Sequence, residues 1–109
     1  MNKFEVVLLF SPDLTDNSIN KEEDNFSSNI KSSKGKIVST ENWGLRDLTF
    51  NINNFKKAFY KFYQIEVDSS AIENFKKILS QNEKILRHLF VKVNEHVKLP
   101  TKMIKDEEK

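Results

Sequence analysis

Few residues in this chain could do covalent or metal chemistry, and their spacing argues against it. Its two histidines are His88 and His96, and it has no cysteine. A metal would need both imidazoles joined by further ligands at close spacing. One histidine instead falls on a strand-like run and the other beyond its end, so both read as structural, partly exposed histidines. The acidic clusters Glu22-Glu23-Asp24 and Asp106-Glu107-Glu108 lie on a polar helical segment and near the C-terminus. Solvated surface fits them better than acid–base catalysis, which needs carboxylates set opposite each other in a cleft. Gly35 and Gly44, the only glycines, cannot build a glycine-rich phosphate loop. There is no cysteine nucleophile, and no serine sits in a nucleophile-elbow motif. The expectation is a protein that is not an enzyme, takes no metal or cofactor, has no small-molecule substrate and works by binding.

Two residue classes could bind. The run Phe59, Tyr60, Phe62, Tyr63 is the most aromatic in the chain. Modules that stack bases on a sheet use aromatics in this way, whereas alternate aromatics on an ordinary strand fill the core. The run lacks the glycine-containing consensus of those modules. The reading is therefore a division, with one parity in the core and the other against a partner. The second class is basic: Lys3, Arg46, Lys56, Lys57, Arg87 and Lys92 alternate with apolar residues or sit at a hairpin turn. Arg46 and Arg87 lead, because guanidinium is the usual reader of phosphate and both fall on strands. With Lys3 and Lys92 they form the candidate set.

The elements that must position these residues follow from periodicity. Phe4 to Phe10 is apolar on both parities and reads as a central strand, broken by Ser11-Pro12-Asp13. From Asp16 to about Ser33, Ile19, Phe26 and Ile30 form one thin apolar stripe, a helix capped by Thr15 or Asp16 and closed by Gly35 at C′. Extended runs follow from Lys36 to Ile52, where Gly44 suggests a bulge, and from Ala58 to Val67, with Asn53 to Lys57 as the hairpin link. The bulge would let Trp43 and Leu48 fix the packing of the second strand. Ser70-Ala71-Ile72-Glu73 has the pattern of a capping box, opening a helix with Ile72, Phe75, Ile78 and Leu79 on one face. Ile85 to Val93 is a last strand. The order β-α-β-β-α-β is that of the ferredoxin-like α+β class: a four-stranded antiparallel sheet with two helices on one face, the other face left bare.

At 109 residues the chain is expected to form one domain, residues 1–94, followed by a charged, flexible tail, 95–109. The longest apolar stretch, Val6 to Phe10, is far short of the roughly 20 residues of a membrane span. With a strand starting so near Met1 and no cysteine, a soluble intracellular protein without a signal peptide or membrane partner is expected. The net charge of +2, with 31% charged residues, promises little phosphate affinity for the domain alone.

Longer stretches resemble a known family. Phe4-Glu5-Val6-Val7 with Ser11-Pro12-Asp13-Leu14 resembles the opening of the bacterial small-subunit ribosomal protein S6 family. So do Gly35-Lys36-Ile37 leading into Glu41-Asn42-Trp43-Gly44-Leu45-Arg46-Asp47-Leu48, Asn51-Ile52-Asn53, and Asn82-Glu83-Lys84-Ile85-Leu86-Arg87. The likeness covers about residues 3–93 without a gap, with departures at Asp47, Thr49-Phe50 and Ala58-Phe59. It implies the same ferredoxin-like fold and a structural role in the cytoplasmic ribosome. That role is to bind small-subunit ribosomal RNA in its central domain, in the platform, as a heterodimer with ribosomal protein S18. On this resemblance Arg46, which matches the family's arginine, Arg87 and Lys92 keep their candidacy, and with Lys3 they are the candidate RNA-binding residues. A small-molecule-sensing or acylphosphatase-like domain shares the topology, but an acylphosphatase's phosphate-cradling loop would have to be the acidic, proline-bearing Ser11-Pro12-Asp13-Leu14.

Overall fold

β1 (Asn2–Phe10) is the strand around which the rest is arranged. Phe4, Val6, Leu8 and Phe10 alternate with Lys3, Glu5, Val7 and Leu9, and the first set is buried in the core. A computed structural model, which describes residues 1–96, places β1 between β3 (Phe55–Val67) and β4 (Ile85–Val93), with β2 (Lys36–Ile52) outside β3. All three pairings are antiparallel. Val6 stands opposite Tyr63 and Phe90, so one parity of each strand faces the same side. There it meets Ile19, Phe26 and Ile30 of α1 (Asp16–Ser32) and Ile72, Phe75 and Leu79 of α2 (Ile72–Ser80). The expected ferredoxin-like arrangement of the sheet and its two helices is the one found.

Local differences from the expected pattern have identifiable causes. Thr15 caps α1, its Oγ1 accepting from the Ser18 amide at 3.2 Å. The left-handed residue that ends α1 is Lys34 (φ 63°) and not Gly35. The Lys34 amide bonds Lys31 O and the Gly35 amide bonds Ile30 O, both at 2.9 Å, which is the Schellman pattern with Lys34 at C′. Gly35 is needed for another reason: a Cβ there would stand 2.8 Å from Glu66 O and 2.9 Å from Val67 Cγ2. The capping box at Ser70 does not form. Asp68 instead caps a 3-10 turn, Ser69–Ala71, accepting from the Ser70 amide at 3.0 Å, and this bond holds its carboxyl below the ordinary range. α2 begins at Ile72 behind that turn, and its Ile78 faces outward, partly exposed.

The β2–β3 link is tighter than expected. Ile52 pairs with Phe55, leaving only Asn53 and Asn54 in the turn, both at positive φ (50° and 69°), as a type I′ hairpin requires. β3 therefore starts at Phe55, whereas its pairing with β1 begins only at Phe59. Beyond that point β2 and β3 continue as a two-stranded ribbon past the sheet. Leu48 lies on this ribbon, half-buried and outside the core, contrary to its expected packing role, because it stands past the last pair of β3 with β1.

Nor are Glu22 and Glu23 of α1 mere solvated surface. Glu22 is buried, accepting from Asn82 Nδ2 at 2.6 Å with Lys84 Nζ at 3.5 Å. Glu23 accepts from Tyr63 Oη at 2.7 Å and pairs with Lys61 at 3.5 Å, while Asp24 is exposed. Burial, and then the Glu23 carboxylate, push the Tyr63 phenol above its ordinary range. Both carboxylates tie α1 to other elements.

The two neighbours at the end of α1 should respond oppositely to substitution. Gly35→Ala should lower stability by about 1–3 kcal/mol, because strand backbone must move. Lys34→Gly should raise it by about 0.5–1 kcal/mol, relieving a left-handed residue. Urea unfolding of both variants checks this, and the reverse order would mean that Gly35 is the C′ residue.

Candidate functional site

The sheet face away from the helices carries the other parity: Lys3, Glu5, Val7 and Leu9 of β1, Tyr60, Phe62 and Gln64 of β3, and Arg87, Leu89 and Val91 of β4. Neither α1 nor α2 covers it, yet it is not uniformly exposed. Leu9, Phe62 and Gln64 are buried by their neighbours, whereas Leu89 and Val91 on the edge strand are 47% and 56% exposed. Gln64 Nε2 donates to Glu5 Oε2 at 3.1 Å, closing the middle of the face with a polar pair. His96 lies against the same carboxylate, Nδ1 to Oε2 3.8 Å, with its side chain 12% exposed. The first residues of the expected tail thus turn back onto this face. Residues 97–109, the rest of that tail, lie outside the described residues.

A bulge in β2 builds one flank of the face. The register with β3 shifts between Asn42 and Gly44. Gly44 has φ 78°, and its amide donates to Asn42 Oδ1 at 2.9 Å. The extra residue, Trp43, is thereby turned onto the ring of Phe62, with centroids 5.0 Å apart and planes 11° from parallel. Trp43 Nε1 donates to Glu41 Oε1 at 2.9 Å, and Arg46 Nε donates to Trp43 O at 3.0 Å. Trp43 therefore has the packing role expected of it. The aromatic strand divides by parity: Tyr63 lies in the core, while Phe62 packs under Trp43 and Tyr60 lines the open face.

The candidate cations are not brought together. Arg46 and Arg87 stand near one end of the sheet on opposite edge strands, about 14 Å apart by strand spacing. Lys3 lies at the other end, roughly 20 Å along β1 from the level of Arg87. Lys92 pairs with Phe4 and so lies on the helix-bearing side, apart from the other three. These residues frame an apolar surface and do not form a basic pocket.

The alternative chemistries find little support in the geometry. In the loop after β1, the amides of Ser11, Asp13 and Leu14 are bonded to Lys84 O, Ser11 Oγ and Ser11 O, which uses up the donors of a phosphate cradle. Among the described residues no group of three or more His, Cys, Asp or Glu could hold a metal, and no helix is long and apolar enough to cross a membrane. His88 packs edge-on to Phe90, and its pKa is lowered by burial and by Lys76.

Trp43 is the chain's single tryptophan and reports on this flank. Phe62→Ala should cost about 3–5 kcal/mol and shift the Trp43 emission to the red. An unshifted emission maximum in the folded variant would show that the stack does not hold Trp43.

Comparison with known proteins agrees with this architecture. The family model described as Ribosomal protein S6 matches residues 3–92. The small ribosomal subunit protein bS6 of Rickettsia prowazekii (strain Madrid E) is 34% identical over 107 residues, covering 98% of this chain and 88% of that protein. That of Blochmanniella floridana is 35% identical over 105 residues, covering 96% and 87%. The crystal structure of 30S ribosomal protein S6 from Thermotoga maritima superposes with a TM-score of 0.80 at 17% identity, covering 98% of this chain and 94% of that one, and so shares the fold. With the family match extending from β1 through nearly all of β4, the chain belongs to the ribosomal protein S6 family, structural proteins of the small subunit of the bacterial cytoplasmic ribosome.

Proposed function

We propose that this small-subunit protein binds small-subunit ribosomal RNA in the central domain, in the platform, as a heterodimer with ribosomal protein S18, and that it performs no catalysis. The observation that carries this reading is the open sheet face. Leu89 and Val91 expose apolar area on the same face as the Trp43–Phe62 stack, across Val7 from it, and Lys3, Arg46 and Arg87 stand around it. Apolar area removed from water there contributes roughly 25 cal/mol per Å², before the costs of association. The scattered cations supply the phosphate contacts. The folded unit proposed for this role is residues 1–94, with 95–109 as a charged extension.

The charge balance makes the partner necessary. If Lys3, Arg46 and Arg87 each neutralise one phosphate, these three contribute about −2 to −3 to the slope of the logarithm of affinity against the logarithm of salt. Lys92, on the helix-bearing side, is not among them. So few released counterions leave weak binding by the domain alone, and S18 adds both contacts and the buried apolar interface.

The purified protein should be titrated into a central-domain RNA fragment with and without S18, across a salt series. Binding should be weak alone and much tighter with S18. Arg87→Ala should reduce the salt slope by about 1, and Lys92→Ala, from the other side of the sheet, should leave it unchanged. Tight binding by the protein alone, indifferent to S18, would overturn the reading.

A further inference from the structure

The β2–β3 ribbon carries a feature that the open sheet face does not explain. Between Asp47↔Lys57 and Ile52↔Phe55 the register shifts, so that Leu48, Thr49, Phe50 and Asn51 stand opposite Lys56 alone. This bulge projects Phe50 outward, and at 82% exposed it is the most exposed large hydrophobic side chain in the described residues. A bulge re-aims a side chain, and here it aims a phenyl ring into water at the end of an arm. That arm reaches roughly 13 Å past the last β1–β3 pair.

The surroundings of that ring indicate what it meets. Its sequence neighbours are Thr49 and Asn51, and the turn beside it is Asn53-Asn54. These offer hydrogen-bonding groups close to the ring, while the ribbon's other apolar residues, Leu48, Ile52 and Phe55, are half-buried, so Phe50 alone presents a large apolar surface to water. The ribbon from Arg46 to Lys57 also carries three cations, Arg46, Lys56 and Lys57, against one anion, Asp47. Its net charge of +2 equals the formal net charge of the whole chain, so the remainder is balanced. Asp47 and Lys57 are paired at 3.6 Å, but both are more than half exposed, and an exposed pair of this kind is easily exchanged for a phosphate. An exposed ring beside cations and amides is the chemistry of a single-stranded nucleic-acid contact, in which a base stacks on the ring and cations take the flanking phosphates.

We propose that the ribbon tip is a second RNA-binding site, in which Phe50 stacks on an unpaired base and Lys56 and Lys57 hold the adjacent phosphates. The site rests on the RNA-binding reading above but is separate from the sheet face, because the tip lies beyond β1 and β4. The sheet face meets the protein partner, and the tip meets RNA alone. Its specificity is for an unpaired base with little preference among the four, since every base has a π face.

The experiment uses the full chain with S18 and the central-domain RNA fragment, comparing wild type with Phe50→Ala, Phe50→Leu, Phe50→Tyr and the double variant Lys56→Gln/Lys57→Gln. Thermal unfolding and formation of the S18 heterodimer without RNA are measured alongside. Phe50→Ala and Phe50→Leu should each weaken RNA binding roughly 5- to 100-fold, the loss expected for one stacked base. Phe50→Tyr should retain binding, and the lysine variant should flatten the salt slope by about 1–2. Unfolding and heterodimer formation should be unchanged throughout. Full RNA affinity in Phe50→Ala or Phe50→Leu would overturn the stacking site. Weakened heterodimer formation in those variants would overturn it in favour of a protein contact at the tip. If wild type with S18 does not bind the RNA at all, the reading of the sheet face fails too, which separates that failure from one confined to the tip.

Discussion

Val6 and Tyr63 face each other across β1 and β3, both nearly inaccessible, and the side they share determines what the other residues can do. Strand side chains alternate with a period of two, so a slip of one residue would send Val6, Leu8, Ile65 and Val67 to the uncovered side and bring Glu5 and Gln64 under the helices. Burying an unpaired carboxylate there would cost far more than the fold can spare. The register is thus held by a difference between faces. One is apolar enough to receive both helices, and the other is mixed enough to remain partly in water.

Around that constraint, polar groups serve as fasteners. Glu22 and Glu23 link α1 to the loop before β4 and to β3 through Asn82, Lys84, Lys61 and Tyr63. On the opposite side the Glu5–Gln64 pair lets β1 and β3 carry polar residues at the middle of a largely apolar face. α1 has only a thin apolar stripe, Ile19, Phe26 and Ile30, so its orientation owes more to these bonds than that of α2 does. The open face is also shaped by backbone. Gly44 turns Trp43 onto Phe62, which gives one flank of the face a rigid aromatic wall while β4 leaves Leu89 and Val91 in the open. A surface fitted to a protein neighbour is expected to combine such rigidity with exposed apolar area.

Much of this was determined by the amino-acid sequence alone. β4 was legible from Ile85 to Val93 because alternation and β-branching agree there, and α1 because its stripe, its N-terminal threonine and its polar remainder all indicate the same element. The bulge was legible because a glycine in a strand has few other uses. Less legible were features that depend on which distant atoms arrive. Gly35 looked like a helix terminator, yet it is required because the carbonyl of Glu66 passes 2.8 Å from where its Cβ would be. The two-residue turn could have been read from Asn53-Asn54, since asparagine tolerates positive φ, but the aromatic run that follows made the strand look as if it began later.

The division between sequence and tertiary structure follows from the range of the forces involved. Periodicity, propensity and turn chemistry act over a few residues, so they set the order of elements, the stripe of each helix and the candidate cations on their strands. Whether those cations meet depends on strand order and register, which bring together residues distant in the chain. Strand order put Arg46 and Arg87 on opposite edges, and the pairing of Phe4 with Lys92 put that lysine on the helix side. Charge and helical pattern alone made Glu22 look solvated. It is buried because Asn82 and Lys84 arrive from the other end of the chain, and only the folded structure brings them there.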